Sequence, residues 1–528
     1  MFNILKRNII KNREAKYLFF IIFIFLVSIF IVNPIGEYAL NDDWVYYDAV
    51  RQMLNNNLNF DSYVGPALIG QLIYSIILSM IFGFSFSLLR LSTLFLSLLG
   101  IIFLYKLLVN LSISPKKSFL ISLLFLFNPI YYNLSFTFMT DIHALSFVVI
   151  ALFFYQKGFK FRKDKDFLIA SLLIVFASLI RQNYILFLLI FDILFFIWHY
   201  QDLKLRKFLV IYTLPVCCYV FFVGLLSSSG WWPQSTYNLH SFEKLEHVFL
   251  NIWRELYSSW HYISLFILPI LISWLWHNNR REKILNIIIA IIVSGFSGFL
   301  YFFKAIKFPY SGNIISQYGL GPRDPDGVLS GTPEIVITNY LCILLTAIGG
   351  FAAGILLIMF YRFFRKLFKK RRSTSSNVLF YFFILLNLIA QWIVIMSIIS
   401  FDRYYLVLVL LFLILLTWLI KKIKINKISM VIICILASVS IVGTFNYLRE
   451  NELKWSIANV LVKKGININS IDGGYEWLGW NWFHRKDSKI LSYYDPIKPW
   501  YITRLFPDNT REYIISYNSE KNNYTLIL

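Results

Sequence analysis

The chain has 528 residues, 58% hydrophobic, 19% aromatic and only 15% charged, with a net charge of +22. Soluble domains carry about 25% charged residues, so this composition, with a mean hydropathy of +0.64, excludes an ordinary water-soluble fold. The positive charge does not indicate nucleic acid, because the lysines and arginines fall in short loops between apolar segments, the positive-inside pattern of membrane proteins.

Apolar runs such as "YLFFIIFIFLVSIFIV" at 17–32 and "VLFYFFILLNLIAQWIVIMSII" at 378–399 recur along the chain and suit about 30 Å of hydrocarbon. The expected fold is a polytopic α-helical membrane protein. A transmembrane β-barrel is excluded, because its strands alternate in polarity and are about ten residues long. Cys217, Cys218, Cys342 and Cys434 all fall in apolar helices, so neither a disulfide framework nor a thiolate metal site is indicated. The first apolar segment follows a basic N-terminus without a small-residue cleavage site and reads as a retained helix.

Basic loops occur at 6–16, 106–117, 157–165, 204–207, 280–283, 361–372 and 421–427. If all are cytoplasmic, neighbouring loops are separated by an even number of crossings. Helices expected near 118–133 and 142–156, 167–180 and 184–199, 208–226 and 261–277, 284–303 and 336–360, and 378–398 and 404–420 obey this, with 428–447 as the last span. Three apolar segments, 17–35, 67–83 and 86–109, precede the second basic loop and break the parity. Segment 67–83 is the shortest and is interrupted by Gly70, Gln71 and Ser75, so it is expected to lie along or dip into the outer surface. About thirteen transmembrane helices remain, with outer-face amphipathic helices and a cytoplasmic N-terminus. Residues 1–447 form the membrane domain, with a first outer loop at 36–85. Residues 448–528 form a small mixed α/β extracytoplasmic domain.

Chemistry-bearing residues gather on the outer face of this topology. Asp42 and Asp43 open "DDWVYYDAVRQML", whose Trp44, Tyr47, Val50, Met53 and Leu54 fit a surface helix against the bilayer. A single acid there reads as a helix cap; two beside an aromatic cluster suit a substrate site. Asp141 in "FMTDIHAL" begins a helix that it or Thr140 would cap, and on the same face it becomes a second acid for the same cleft, with His143 as a binding contact. Snorkelling from helix ends accounts for Arg90, Lys304, Lys307 and Arg323 individually. Arg181 in "RQNY" and Arg403 in "FDRYY" occupy very short turns, and guanidiniums at head-group depth suit the phosphate of a lipid-linked substrate. Asp402 reads as the partner of Arg403.

Carboxylates, cations at membrane depth and aromatic surfaces together match one reaction. A sugar leaving from phosphate needs no general acid, because phosphate departs as a stable anion. It needs a base for the nucleophile and positive charge on the phosphate. Glycoside hydrolysis would need an acid as well. In "HSFEKLEH", His240, Glu243 and His247 have the helical spacing of a divalent-metal site, although a solvated or interfacial amphipathic helix explains them better. No other cofactor is indicated.

These motifs resemble the GT-C superfamily of membrane glycosyltransferases, in particular the family 39 and aminoarabinose-transferase-like group. The group's D-E-x-x-Y motif after the first helix is similar to Asp42-Asp43-Trp44-Val45-Tyr46, its G-x-x-x-x-x-x-R-L boundary to "GFSFSLLRL" with Arg90 and Leu91, its T-D to Thr140 and Asp141, and its late R-Y to Arg403 and Tyr404. The charged E-K-P-P segment of the group appears here as "SYVGPAL", so a lysine on the donor phosphate is missing at that point. The tail is similar to related outer tails only through "IDGGYEWLGW".

The resemblance implies sugar transfer from a polyprenyl-phosphate donor to a hydroxyl or amine of a lipid, glycan or protein acceptor, with inversion, at the outer face of the cell membrane. Asp42 takes the place of the catalytic aspartate, as base or acceptor holder, supported by Asp43 and Asp141. Arg181 and Arg403, with Arg90 or Lys304, would hold the donor phosphate. Trp44, Tyr46, His143, Gln182, Asn183 and Tyr404 are the candidate substrate contacts. The rival readings are a transporter or flippase for lipid-linked saccharides, a polymerase or ligase of longer glycans, and a non-catalytic assembly or sensor protein. Transporters place charge at mid-membrane, where this sequence has little besides Asp192.

Overall fold

Two proline-initiated breaks and one overlong helix shape the bundle in the computed structural model, which describes residues 2–55, 67–199, 211, 213–228, 245–304, 306–369, 376–398, 401–482, 498–507 and 509–518. Among these residues, eight helices are long and apolar enough to cross a membrane, or up to ten if each bent pair counts as one span. The protein is therefore a multi-pass, predominantly helical membrane protein. Its outward side chains include Phe30, Met80 and Phe302, as expected where the surrounding solvent is hydrocarbon rather than water.

The continuous helices expected over 118–133 and 261–277 are corrected. Pro115–Leu126 meets Pro129–Ser135 at 70°, and Leu250–Phe266 meets Leu268–His277 at the same angle. Pro129 and Pro269 stand in the first turn of the second helix of each pair, where proline is welcome, while its missing N–H and its ring prevent continuation of the helix before it. At the first break, Asn128 caps the new helix by accepting bonds from the amides of Ile130 and Tyr131.

The helices sort their ends by charge. Thr140–Phe161 carries Asp141 in its first turn, and near its other end Lys157 pairs with Asp166 at 3.2 Å and Lys160 donates to the Asn110 carbonyl. The helix Leu406–Ile420 follows Arg403 directly, and at its far end Lys117 donates to the carbonyls of Ile420 and Lys421. Lys117, Lys157 and Lys160 thus lie at one end of the bundle, and the acids and arginines of interest lie at the other.

Ile69–Phe82 lies across that second end. The amides of Leu68 and Gly70 bond to the carbonyls of Ile180 and Leu179 at its start. At its finish, Glu37 accepts bonds from the amides of Phe86 and Ser87, opening the helix Phe86–Asn110. Gln71, Ser75 and Ser79 face inward while Ile73, Ile77 and Met80 are exposed. Both ends of this helix therefore lie at the same end of the bundle.

Lys427–Lys463 is a single helix of 37 residues, about 55 Å at 1.5 Å per residue, well beyond the hydrocarbon thickness of about 30 Å. It passes position 447 without a break and carries its last turns above the bundle. There it meets two segments. The loop 306–338 contains the antiparallel strands Ile315–Ser316 and Gly319–Leu320. The tail pairs Ile471–Asp472 in parallel with Tyr513–Ile514 and adds the helices Tyr475–Trp482 and Trp500–Arg504. Arg323 pairs with Glu450 at 2.9 Å, the Tyr475 amide bonds to the Val328 carbonyl, and Arg511 joins Asp472 to Ser330. Loop and tail form one cap over the end that carries Asp42.

Candidate active site

Asp42 occupies the N-cap position of the helix Asp43–Leu54, and its side chain makes no capping bond. The preceding Asn41 has a φ of 56°, a left-handed conformation that asparagine tolerates, and it turns the chain so that Asp42 projects from the loop. The Asp42 side chain keeps 31% exposure. Its Oδ1 accepts a bond from the Tyr475 hydroxyl at 2.9 Å, and its Oδ2 lies 3.4 Å from Arg403 Nη2.

Asp43, its neighbour, is fully buried. Its two oxygens accept bonds from the amides of Leu40 at 2.6 Å and Phe138 at 3.0 Å. Burial pushes its carboxyl up to about 8 against the pull of those two amides. Asp43 ties the first loop to the turn before Thr140, and it is enclosed where Asp42 is open.

Asp141 pairs with Arg181 Nη2 at 3.1 Å, and Arg181 Nε donates to Thr140 Oγ1 at 3.0 Å. The second oxygen of Asp141 and Nε of Arg403 are buried without a hydrogen-bond partner among the described residues. The Tyr404 ring lies 5.1 Å from the Arg181 guanidinium and 5.5 Å from that of Arg403. Tyr46 completes the cluster. Burial, then the charge of Asp42, raises its phenol well above the ordinary value, opposed by Arg403 and Arg181, so it stays a hydroxyl donor.

Other expected site residues are placed elsewhere. Arg90 is buried and donates to the carbonyls of Pro34 and Tyr38 at 2.6 and 2.7 Å, with its guanidinium over the Tyr38 ring. It clamps the loop before Asp42. His143 is enclosed, with one ring nitrogen on the Tyr74 hydroxyl and the other 2.7 Å from Thr93 Oγ1. Asn183 exchanges two bonds with Gln391 and fastens its turn to the helix Ser376–Ser397, while Gln182 stays partly exposed. Trp44 is buried edge-on against Tyr475. Asp402 does not serve as the ion-pair partner expected for Arg403. Its carboxylate accepts bonds from the amides of Ile314 and Ile315 and anchors the cap loop. The side chain of Lys304 lies outside the described residues, as do His240, Glu243 and the side chain of His247. Among the described residues, no group of three or more His, Cys, Asp or Glu is placed to hold a metal.

The tail contributes residues that the sequence reading did not assign to the site. Glu476 accepts a bond from the Asn41 amide and pairs with Lys454 at 2.7 Å, both side chains being buried. Tyr475 reaches Asp42 itself. The signal lay in "IDGGYEWLGW". Gly474, at a φ of 91°, passes so close to the Val328 carbonyl that a Cβ would sit 2.6 Å from its oxygen, and a Cβ on Gly479 would sit 2.4 Å from the Trp44 ring.

Residues 67–227, less than a third of the chain, match the family model described as Dolichyl-phosphate-mannose-protein mannosyltransferase, a GT-C type family. The match includes Arg90, Thr140, Asp141 and Arg181 and agrees with the GT-C resemblance of the motifs. Solved structures similar to this chain include two of ArnT from Cupriavidus metallidurans. The one bound to undecaprenyl phosphate has a TM-score of 0.43 at 12% identity and covers 85% of this chain and 73% of that one. The apo structure has a TM-score of 0.38 at 12% identity, covering 85% and 80%. No curated protein sequence matches the chain.

Proposed function

We propose that this protein transfers a sugar from a polyprenyl-phosphate-linked donor to an acceptor hydroxyl or amine, with inversion, at the extracytoplasmic face of the membrane. The observation that carries the reading is the convergence of Asp42, Asp141, Arg181, Arg403 and Tyr404 at the end of the bundle opposite the basic loops. The positive-inside rule puts that end outside. The match to a family of polyprenyl-type phosphate-sugar transferases supports the donor class.

In this reading the acceptor oxygen or nitrogen attacks the anomeric carbon as the bond from that carbon to the phosphate oxygen breaks. The acceptor proton passes to Asp42, and polyprenyl phosphate leaves with the bonding pair. A carboxylate is a weak base, but it takes the proton late, as the new bond forms. Arg181 and Arg403 hold the phosphate as its charge grows. The 3.4 Å separation of Arg403 from Asp42 is long beside the 2.7–2.9 Å of a tight charge-assisted bond, so Arg403 can turn to a phosphate at little cost. Asp141 keeps Arg181 in place, Tyr46 donates a hydrogen bond, and Asp43 and Arg90 fix the loop that presents Asp42.

The test is transfer by purified protein in detergent with a panel of polyprenyl-phosphate sugars, comparing wild type with Asp42→Asn. Transfer from one donor that the variant loses supports both the reaction and the base. Donor consumption unaffected by Asp42→Asn rejects the base, and no consumption with any donor and acceptor rejects the reaction. Lipid-saccharide translocation in proteoliposomes would then be measured.

A further inference from the structure

We infer that the tail supplies a positioning residue for the reaction: Tyr475 locks the Asp42 carboxylate in one orientation, so that the site is incomplete without the segment 472–482. The inference rests on the transferase reading for its kinetic consequence and on geometry for the contact. Asp42 is held from two sides by groups far away in the chain, Tyr475 on Oδ1 and Arg403 on Oδ2. Arg403 is the group that the reaction would draw away to the phosphate. Tyr475 would then be the holder that stays.

The tail is built to keep that hydroxyl still. The Tyr475 ring packs edge-on against Trp44 at 5.9 Å and lies tilted against Trp500 at 5.4 Å. Its backbone amide is fixed to Val328, and Asp472, three residues earlier, binds the Gly474 amide. The next residue, Glu476, is pinned between Lys454 and the Asn41 amide. One short helix therefore grips both Asn41, through its backbone, and Asp42, through its side chain. A loop carboxylate with 31% exposure would otherwise sample several rotamers, and a misplaced base loses much of the advantage of proximity.

The experiment uses Tyr475→Phe in the full-length protein, which removes one hydroxyl and keeps the ring packing, so the fold is retained. Two readouts are compared with wild type. In steady-state transfer, kcat should fall about tenfold or more, the size expected for one hydrogen bond to a charged group, while donor KM stays within about twofold. Independently of turnover, carbodiimide labelling of carboxyls, read by peptide mass spectrometry, should rise at Asp42 and stay constant at Glu282, a half-exposed acid at the far end of the bundle. The reagent attacks the protonated acid, and a carboxylate that loses a donated hydrogen bond holds its proton more tightly. Unchanged labelling at Asp42 overturns the positioning role, as does wild-type kcat in a protein that turns over. If the wild type transfers no sugar, the transferase reading fails by itself and the labelling still decides whether Tyr475 holds Asp42.

Discussion

Arg403 lies 3.4 Å from Asp42 although 361 positions separate them in the chain. The contact joins the first loop to a turn between two late helices. In the proposed reaction, a guanidinium and a carboxylate at this spacing part when the donor phosphate arrives, which leaves the carboxylate available to a proton.

Asp42→Asn keeps the shape of the side chain and removes its basicity. Transfer should fall by about 10²–10⁴-fold, the range that a positioned general base contributes, while the asparagine amide oxygen can still accept the Tyr475 bond and the protein still folds and expresses. Turnover within threefold of wild type would reject Asp42 as base.

Arg181 and Asp141 form a buried pair, 15% and 4% exposed. Arg181→Ala leaves an uncompensated buried carboxylate and should cost about 3 kcal/mol or more. Adding Asp141→Asn removes that charge and should restore most of the melting temperature without restoring donor affinity. Recovery of both in the double variant would show that Arg181 serves the fold alone.

Asp43 gives a pH dependence of defined sign. Its carboxyl sits at about 8 in the folded protein against about 4 in an unfolded chain. The folded state holds this proton more tightly, so the contribution is fully present below about pH 4 and is lost as pH rises through about 8. The stability advantage of wild type over Asp43→Asn should be greater at pH 5 than at pH 8.5, measured by thermal melts in detergent. An advantage that grows over that window contradicts the assignment.

Arg90→Lys separates loop clamping from phosphate binding. Lysine cannot span the carbonyls of Pro34 and Tyr38 that the guanidinium fork reaches together. The variant should melt lower by the equivalent of about 1–3 kcal/mol and lose kcat, with donor KM unchanged. A selective rise in donor KM would return Arg90 to the phosphate.

The amino-acid sequence alone determined the membrane class and pointed to the candidate acids, the short-turn arginines and the short segment around Gly70, Gln71 and Ser75. Each of these follows from local hydropathy, local charge or residue type over a few turns of chain. Tertiary structure decided the rest. It chose Asp42 over its neighbour as the open carboxylate, because the amides that enclose Asp43 come from Leu40 and from Phe138, 95 residues away. It turned Arg90 onto carbonyls and His143 onto Tyr74 and Thr93, where residue type had suggested ligand contacts. It also brought Tyr475 to Asp42 across 433 positions. Such partners are set by how the whole bundle packs and how far the helix Lys427–Lys463 reaches above it, and no local pattern encodes either.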